Sequence, residues 1–322
     1  MSTTPYLDAK QLIEYLPWLE LIDAIDAVFT SDVVEPLRHQ HDLNVPNDLA
    51  ASLLLKPAWI EGKYLGVKQV AIFPSNNARG LPGLNSSYLL SSGKTGEPLL
   101  QLDADELTSR RTAAASALAS RYLSHPNSRK LLMIGSGRLA RSLIQAHSAV
   151  RPIDEVYVWS RTQASAQKMV DELIEEGKVA FVCSNYDLPK HTSTSDIISC
   201  ATMSTLPIVL GKDLTAGTHI DLVGGFTPNM RESDDLAVQR SAVFVDTRTG
   251  ALSEAGDLTQ ARDTGAFDAS EVEAELSELS SQKHLGRTQL SDAENQITLF
   301  KSVGAAREDL AGAILAYERM AE

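Results

Sequence analysis

One six-residue run constrains the fold more than any other part of the chain: Gly135-Ser136-Gly137-Arg138-Leu139-Ala140. It follows Lys130-Leu-Leu-Met-Ile, a continuous apolar stretch of the kind buried on both faces of a parallel sheet. It opens a helical pattern over residues 139–150, and a second strand pattern, Val156-Tyr-Val-Trp, follows within about 30 residues, as a βαβ unit requires. Gly135 permits a tight turn, Gly137 lets backbone amides approach a pyrophosphate, and Ala140 takes the small position where helix and strand pack. A helix starting here presents free amides and a partial positive charge to phosphates. In this setting the run predicts a dinucleotide site.

The flanking sequence extends the unit. A segment over 104–123, rich in Ala, Leu, Arg and Glu, predicts a long helix leading into the first strand. Downstream, strand patterns at 156–159, 179–183, 196–200, 219–223 and 242–246 are interspersed with helical segments such as 164–176. That order predicts an open, doubly wound parallel α/β sheet. Residues 257–282 are acidic, and Glu271, Glu273, Glu275 and Glu278 read as the solvated face of a helix. A final helix is expected over 305–320.

The N-terminal third has a different texture. Apolar residues at helical spacing from Leu12 to Val28 predict a helix that Pro17 divides in two. Strand-like runs at 51–59, 64–73, 86–91 and 98–103 then follow without intervening helices, with Gly93-Lys-Thr-Gly-Glu as a hairpin turn. Neighbouring strands of this kind predict an antiparallel or mixed sheet.

A chain of 322 residues suits two domains. Its net charge of −13, with no long basic run, argues against nucleic acid and anionic membrane surfaces as partners. No apolar run approaches the roughly 20 residues of a membrane span, and the N-terminus shows no secretory pattern. Cys183 and Cys200 sit in or beside apolar runs and read as small buried hydrophobes. A cytoplasmic location is expected.

The cofactor's ribose offers a further test. Asp154 and Glu155 lie about 20 residues from the glycine loop, where an NAD-binding carboxylate is looked for, but they precede their strand. The strand's far end carries Ser160-Arg161-Thr162, a guanidinium and two hydroxyls suited to a 2′-phosphate. NADPH is the expected cofactor, with NADH as the alternative.

Three cations stand out upstream: Lys68 inside Leu65-Gly-Val-Lys-Gln-Val-Ala-Ile-Phe, Arg111 on the Ala-rich helix, and Arg38 in Pro36-Leu-Arg-His-Gln-His. A buried cation needs a partner, none is adjacent to Lys68 in sequence, and an anionic ligand would supply one. The pair His39 and His41 lacks a third convergent ligand, so no metal is expected.

These pieces, with Thr95-Gly-Glu-Pro, Arg111-Thr-Ala-Ala, Ile220-Asp-Leu-Val-Gly-Gly-Phe-Thr-Pro and Ser302-Val-Gly, resemble the ornithine cyclodeaminase/mu-crystallin family over essentially the whole chain. The resemblance implies a Rossmann domain over 113–298. It also implies a mixed α+β substrate and dimerisation domain built from 1–112 and 299–322, hence a homodimer. It further implies that Arg38, Lys68 and Arg111 bind the carboxylate of an amino or imino acid, and that Ala201, Thr202 and Ser302 line the cofactor site.

Cyclodeaminases of the family carry an aspartate after the Val-Gly-Gly strand end, where this chain has Phe226. Gly224-Gly-Phe-Thr-Pro-Asn-Met-Arg231 instead resembles the family's Δ1-pyrroline-2-carboxylate/Δ1-piperideine-2-carboxylate reductases. The implied activity is NADPH-dependent reduction of a cyclic imino acid to L-proline or L-pipecolate. Phe226 would form an apolar wall for the ring, and Lys68 would neutralise the carboxylate and keep the imine protonated through water. His39 and His41 are further candidates for the proton donor. Amino-acid dehydrogenation, ornithine cyclisation and cofactor binding without catalysis are the competing activities.

Overall fold

Pro17 does divide the first amphipathic stretch. A computed structural model describes residues 4–321, opening with β1 (Tyr6–Leu7), α1 (Ala9–Tyr15) and α2 (Trp18–Phe29). Asp8 and Gln11 form a capping box on α1. At its other end Arg110 donates to the Leu16 carbonyl that the break leaves over, and its guanidinium stacks 4.0 Å from the Trp18 ring. The strands are β2 (Val33–Val34), β3 (His39–Leu43), β4 (Ala51–Ile60), β5 (Tyr64–Ile72), β6 (Leu84–Ser92) and β7 (Pro98–Asp103). They pair in the order β1-β7-β6-β5-β4-β2, with β3 also on β4; only the β1–β7 pairing is parallel. This is the mixed sheet expected from strands joined by short turns.

The long helix α3 (Ala104–Leu123) leads into the parallel region. There β8 (Lys130–Ile134), α4 (Arg138–Val150), β9 (Glu155–Trp159), α5 (Gln163–Glu175), β10 (Ala180–Val182), α6 (Leu188–Thr194) and β11 (Ile197–Cys200) alternate. After β12 (His219–Leu222), α7 (Asp235–Gln239) and β13 (Ser241–Val245) come α8 (Arg248–Glu254) and α9 (Gly256–Asp263). The chain continues through β14 (Val272–Glu275), α10 (Leu276–Ser280), β15 (Ile297–Lys301) and α11 (Ala306–Met320). The eight strands run in the order β10-β9-β8-β11-β12-β15-β13-β14, every pair parallel. This is a doubly wound Rossmann sheet. Its core includes Leu132, Ile134, Ile198, Ile220, Leu222, Val243 and Leu299, each nearly or fully buried. Burying one such side chain contributes about 1.5–3 kcal/mol.

The chain divides into two units, one ending at Arg111 and resuming at Ala306, the other Thr112–Ala305. The return was expected at residue 299. That position falls inside β15, an apolar strand paired on both sides in the parallel sheet, so the chain leaves that unit only after it. The acidic stretch also differs from its reading as a helix. Val272 and Ala274 are buried while Glu273 is exposed, a period of two, and the segment pairs with β13 as β14. Glu275 and Glu278 accept from Arg248, which explains their spacing.

Candidate functional sites in the two units

Within the parallel unit, strand order reverses between β8 and β11, and ligands of doubly wound sheets bind at such a switch point. Gly135 ends β8 with φ of +127°, and a Cβ there would stand 2.7 Å from the carbonyl oxygen of Ala201 at the end of β11. Only glycine satisfies both conditions. Gly137 precedes α4 in extended conformation without a side-chain cap, leaving the helix N-terminus open. Arg138 begins the first turn of α4 and is exposed, Leu139 is half-buried, and Ala140 is fully buried.

A cleft of about 480 Å³ brings together Gly135 and Ser136, Ser160, Arg161 and Thr162, and Ala201 and Thr202. Ser136 donates to Ser160 across 2.9 Å, tying the glycine loop to the end of β9. Asp154 stands before β9 and pairs with Arg129 at 2.5 Å, away from this cleft. Larger hollows of about 550 and 720 Å³ near Arg231, Gln239 and Glu273 lie away from these strand ends.

Ser302 follows β15. It is 2% exposed, and its hydroxyl has no hydrogen-bond partner among the described residues. Asp246 fixes the turn beyond it by accepting from the amides of Val303 and Gly304 at 2.8 and 2.7 Å. Burial raises the Asp246 pKa, while these amides and that of Thr247 work against the rise. Phe226 lies in the loop after β12 and is 46% exposed; Gly225 beside it has φ of +59°. An orphaned hydroxyl, an open helix N-terminus and a glycine turn that tolerates no Cβ suit the dinucleotide expected from the sequence.

The second site lies in the mixed-sheet unit. Lys56, Lys68 and Tyr88 stand opposite one another on β4, β5 and β6 and share one face. The Lys68 ammonium contacts the two carboxyl oxygens of Asp309 at 2.9 and 2.8 Å and donates to Thr108 at 3.1 Å. Arg111 donates to Asp309 at 2.8 Å and to Glu308 at 2.6 Å. Lys68 thus has a counter-charge within the chain that its neighbouring sequence does not contain: α11 supplies the carboxylate, 241 residues along the chain.

The charges of this cluster are mutually adjusted. Burial lowers the Lys68 pKa to about 8, with Asp309 resisting and Arg111 and Lys56 adding to the fall. Burial works against Arg111 too, but Asp309 and Glu308 outweigh it and hold the guanidinium more firmly charged. Asp309 is lowered despite burial, because Arg111 and Lys68 flank it. The Tyr88 hydroxyl is buried with no hydrogen-bond partner among the described residues, and burial raises its pKa well above the usual value. Arg38 is exposed on the segment entering β3, whose His39 pairs opposite Leu55. His39 and His41 are exposed as well.

The family model for the ornithine cyclodeaminase/mu-crystallin family matches residues 19–322. The chain belongs to that family. A Δ1-pyrroline-2-carboxylate reductase of Colwellia psychrerythraea is 36% identical over 98% of this chain and 99% of its own length. The solved structure of the Thermococcus litoralis Δ1-pyrroline-2-carboxylate reductase, in complex with NADH and L-proline, is similar with a TM-score of 0.88. It is 32% identical, over 99% of this chain and 98% of that one. An archaeal alanine dehydrogenase dimer with bound NAD superposes with a TM-score of 0.86 at 28% identity, over 99% and 96% of the two chains.

Several residues of these sites escape the sequence reading. Lys56, Thr108, Glu308 and Asp309 join Lys68 and Arg111 only through strand register and a helix from the far end of the chain. Glu232, Asp257 and Lys301, which form a buried cluster behind the nucleotide cleft, carry no motif beyond a lone charge among apolar neighbours. For Lys301, as for Lys68, that lone charge in an apolar strand is the available signal.

Proposed function

We propose that the protein is an NADPH-dependent reductase of cyclic imino acids, producing L-proline from Δ1-pyrroline-2-carboxylate and L-pipecolate from Δ1-piperideine-2-carboxylate. The observation that carries this reading is the buried cation cluster. Lys68 and Arg111 are buried against two carboxylates, Glu308 and Asp309, with Lys56 opposite Lys68 on the neighbouring strand. An ammonium has three donors and a guanidinium five, more than Thr108, Glu308 and Asp309 engage here. An incoming carboxylate fits that surplus of donors, and the exposed Arg38 is proposed to close over it. The reductase relatives and the absence of an aspartate at Phe226 support reduction over ornithine cyclisation.

The glycine loop and helix start from Gly135 to Ala140, the cleft residues Ser160 to Thr162, Ala201 and Thr202, and the buried Ser302 are proposed to hold the dinucleotide. Arg161 gives the preference for NADPH, although the solved relatives hold NADH or NAD. When bound, the nicotinamide supplies the hydride. The chain itself binds the acid and manages its charge. Lys68 and Arg111 neutralise the carboxylate, and Phe226 offers an apolar surface to the ring methylenes. The imine carbon accepts hydride readily only when its nitrogen is protonated. Lys68 Nζ, whose pKa burial lowers to about 8, is proposed to hold that proton in place, directly or through water. The protein works as a homodimer in the cytoplasm; its two free, buried cysteines suit a reducing compartment.

The test is oxidation of NADPH and NADH by the purified protein with each cyclic imino acid. Oxidation of L-proline, L-alanine and L-ornithine is assayed in parallel. Rapid turnover of either cyclic imine, faster with NADPH, is expected. No turnover of either imine rejects the reading, and ammonia release from ornithine establishes the lyase in its place.

A further inference from the structure

We propose that Glu232 is a positioning residue of the dinucleotide site: its carboxyl clamps Thr202 and thereby sets the width of the cleft. This rests on the cofactor reading above. Glu232 lies between β12 and α7 and is fully buried. Its Oε1 accepts from the Thr202 amide at 2.6 Å and the Thr202 hydroxyl at 2.7 Å. Its backbone carbonyl accepts from the amides of Ile208 and Val209 at 2.8 and 2.9 Å, and the neighbouring Arg231 amide donates to Ser204 at 2.8 Å. The segment between Thr202 and Val209, which forms one wall of the cleft, is therefore fastened at both ends to a single residue.

Glu232 is fixed in turn from behind. Its own amide and that of Ser233 donate to Asp257 Oδ1 at 2.7 and 2.9 Å. Asp257 Oδ2 lies 3.0 Å from the Lys301 ammonium, which also donates to the Gly224 carbonyl. Gly224 has no room for a side chain, since a Cβ would meet Thr202 and Glu232. The loops after β11 and β12 and the end of β15 are thus tied by one polar chain.

The charge count agrees with a clamp. A single buried ammonium faces two carboxyls. Burial pushes Glu232 up to about 8 against the pull of Lys301, and Asp257 adds to the rise. Only Oε1 of Glu232 is engaged by Thr202; its Oε2 has no hydrogen-bond partner among the described residues. Opposite the clamp, Gly135 already stands so close to Ala201 that no methyl fits. The cleft has no slack on that side, and small displacements of positioning groups carry large functional costs.

The experiment measures NADPH and NADH binding by fluorescence. Imino-acid kinetics at saturating cofactor and thermal denaturation are measured beside it. Glu232→Ala is expected to weaken cofactor binding about thirtyfold, and Thr202→Val about tenfold. Glu232→Gln and Thr202→Ser, which keep the acceptor and the hydroxyl, stay within about threefold of the parent. The double variant Glu232→Ala/Thr202→Val binds no worse than Glu232→Ala alone, because both remove the same contact. The imino-acid KM changes less than threefold throughout. Cofactor binding within twofold of the parent in both Glu232→Ala and Thr202→Val overturns the clamp. So do additive losses in the double variant, or equal losses in Thr202→Ser and Thr202→Val. A parent protein that binds neither nucleotide fails the cofactor reading itself, an outcome distinct from these.

Discussion

Each unit buries one lysine on an interior strand against an aspartate from a helix, and the two sites use that motif in opposite ways. Lys68 on β5 meets Asp309 of α11; Lys301 on β15 meets Asp257 of α9. Around Lys68 stand a second buried cation, Arg111, and the carboxylates it shares, and the donors of Lys68 and Arg111 outnumber their contacts with Thr108, Glu308 and Asp309. Around Lys301 the neighbours are acidic, and the ammonium's remaining contact is a backbone carbonyl. A buried ion pair alone is weak evidence of either stability or function. The surroundings separate the two: on the reading proposed above, the donors left over on Lys68 and Arg111 receive an acid, whereas the carboxyls beside Lys301 brace backbone amides.

Breaking the first site should have the largest effect. Arg111→Ala strands Glu308 and Asp309 without their shared cation, which should cost about 3–5 kcal/mol in urea unfolding. It should also raise the imino-acid KM more than a hundredfold. Lys301→Met should destabilise the protein by about 3 kcal/mol, because Asp257 keeps its buried charge. It should weaken NADPH binding and leave the imino-acid KM nearly unchanged, the reverse of Arg111→Ala.

Lys68→Met sharpens the contrast: the imino-acid KM should rise about thirtyfold, as expected when a charged hydrogen bond is lost, with the cofactor dissociation constant within twofold. Lys68 binds acid only while protonated, and its lowered pKa is about 8. Imino-acid affinity in the parent should therefore hold below pH 8 and fall, by up to about tenfold per pH unit, above it. KM profiles of parent and Lys68→Met should differ in that limb alone. The smallest effect is expected at Arg161→Ala, about a tenfold rise in KM for NADPH with NADH unchanged. Arg161 is exposed, and solvent screens its contacts.

Local rules made much of the fold legible. The glycine loop, the Pro17 break, the helix from Ala104 to Leu123 and the turn-bounded strand runs from Ala51 to Asp103 are each written in adjacent residues. The errors came where distance or geometry decides. Asp309 reaches Lys68 across 241 positions, and no local pattern announces such a pairing. β14 alternates over too few residues to outweigh its helix-forming glutamates. The crossing placed at residue 299 missed that β15 joins the parallel sheet, a matter of topology. The cleft beside the glycine loop was legible because its loop and strand ends are local. The cation cluster was legible only from one side, since its counter-charges come from the other end of the chain.

Phe226 carries a different kind of consequence. It is nearly half exposed, while Gly224 behind it is locked by Thr202 and Glu232. Position 226, where the resemblance puts an aspartate in cyclodeaminases, is thus among the least committed to folding, two residues beyond one of the most committed. Inherited change can sample new side chains at 226 with little loss of native protein, whereas almost any change at 224 would be purged. A new side chain thus has an inexpensive place to appear, two residues beyond a backbone position that cannot accept one.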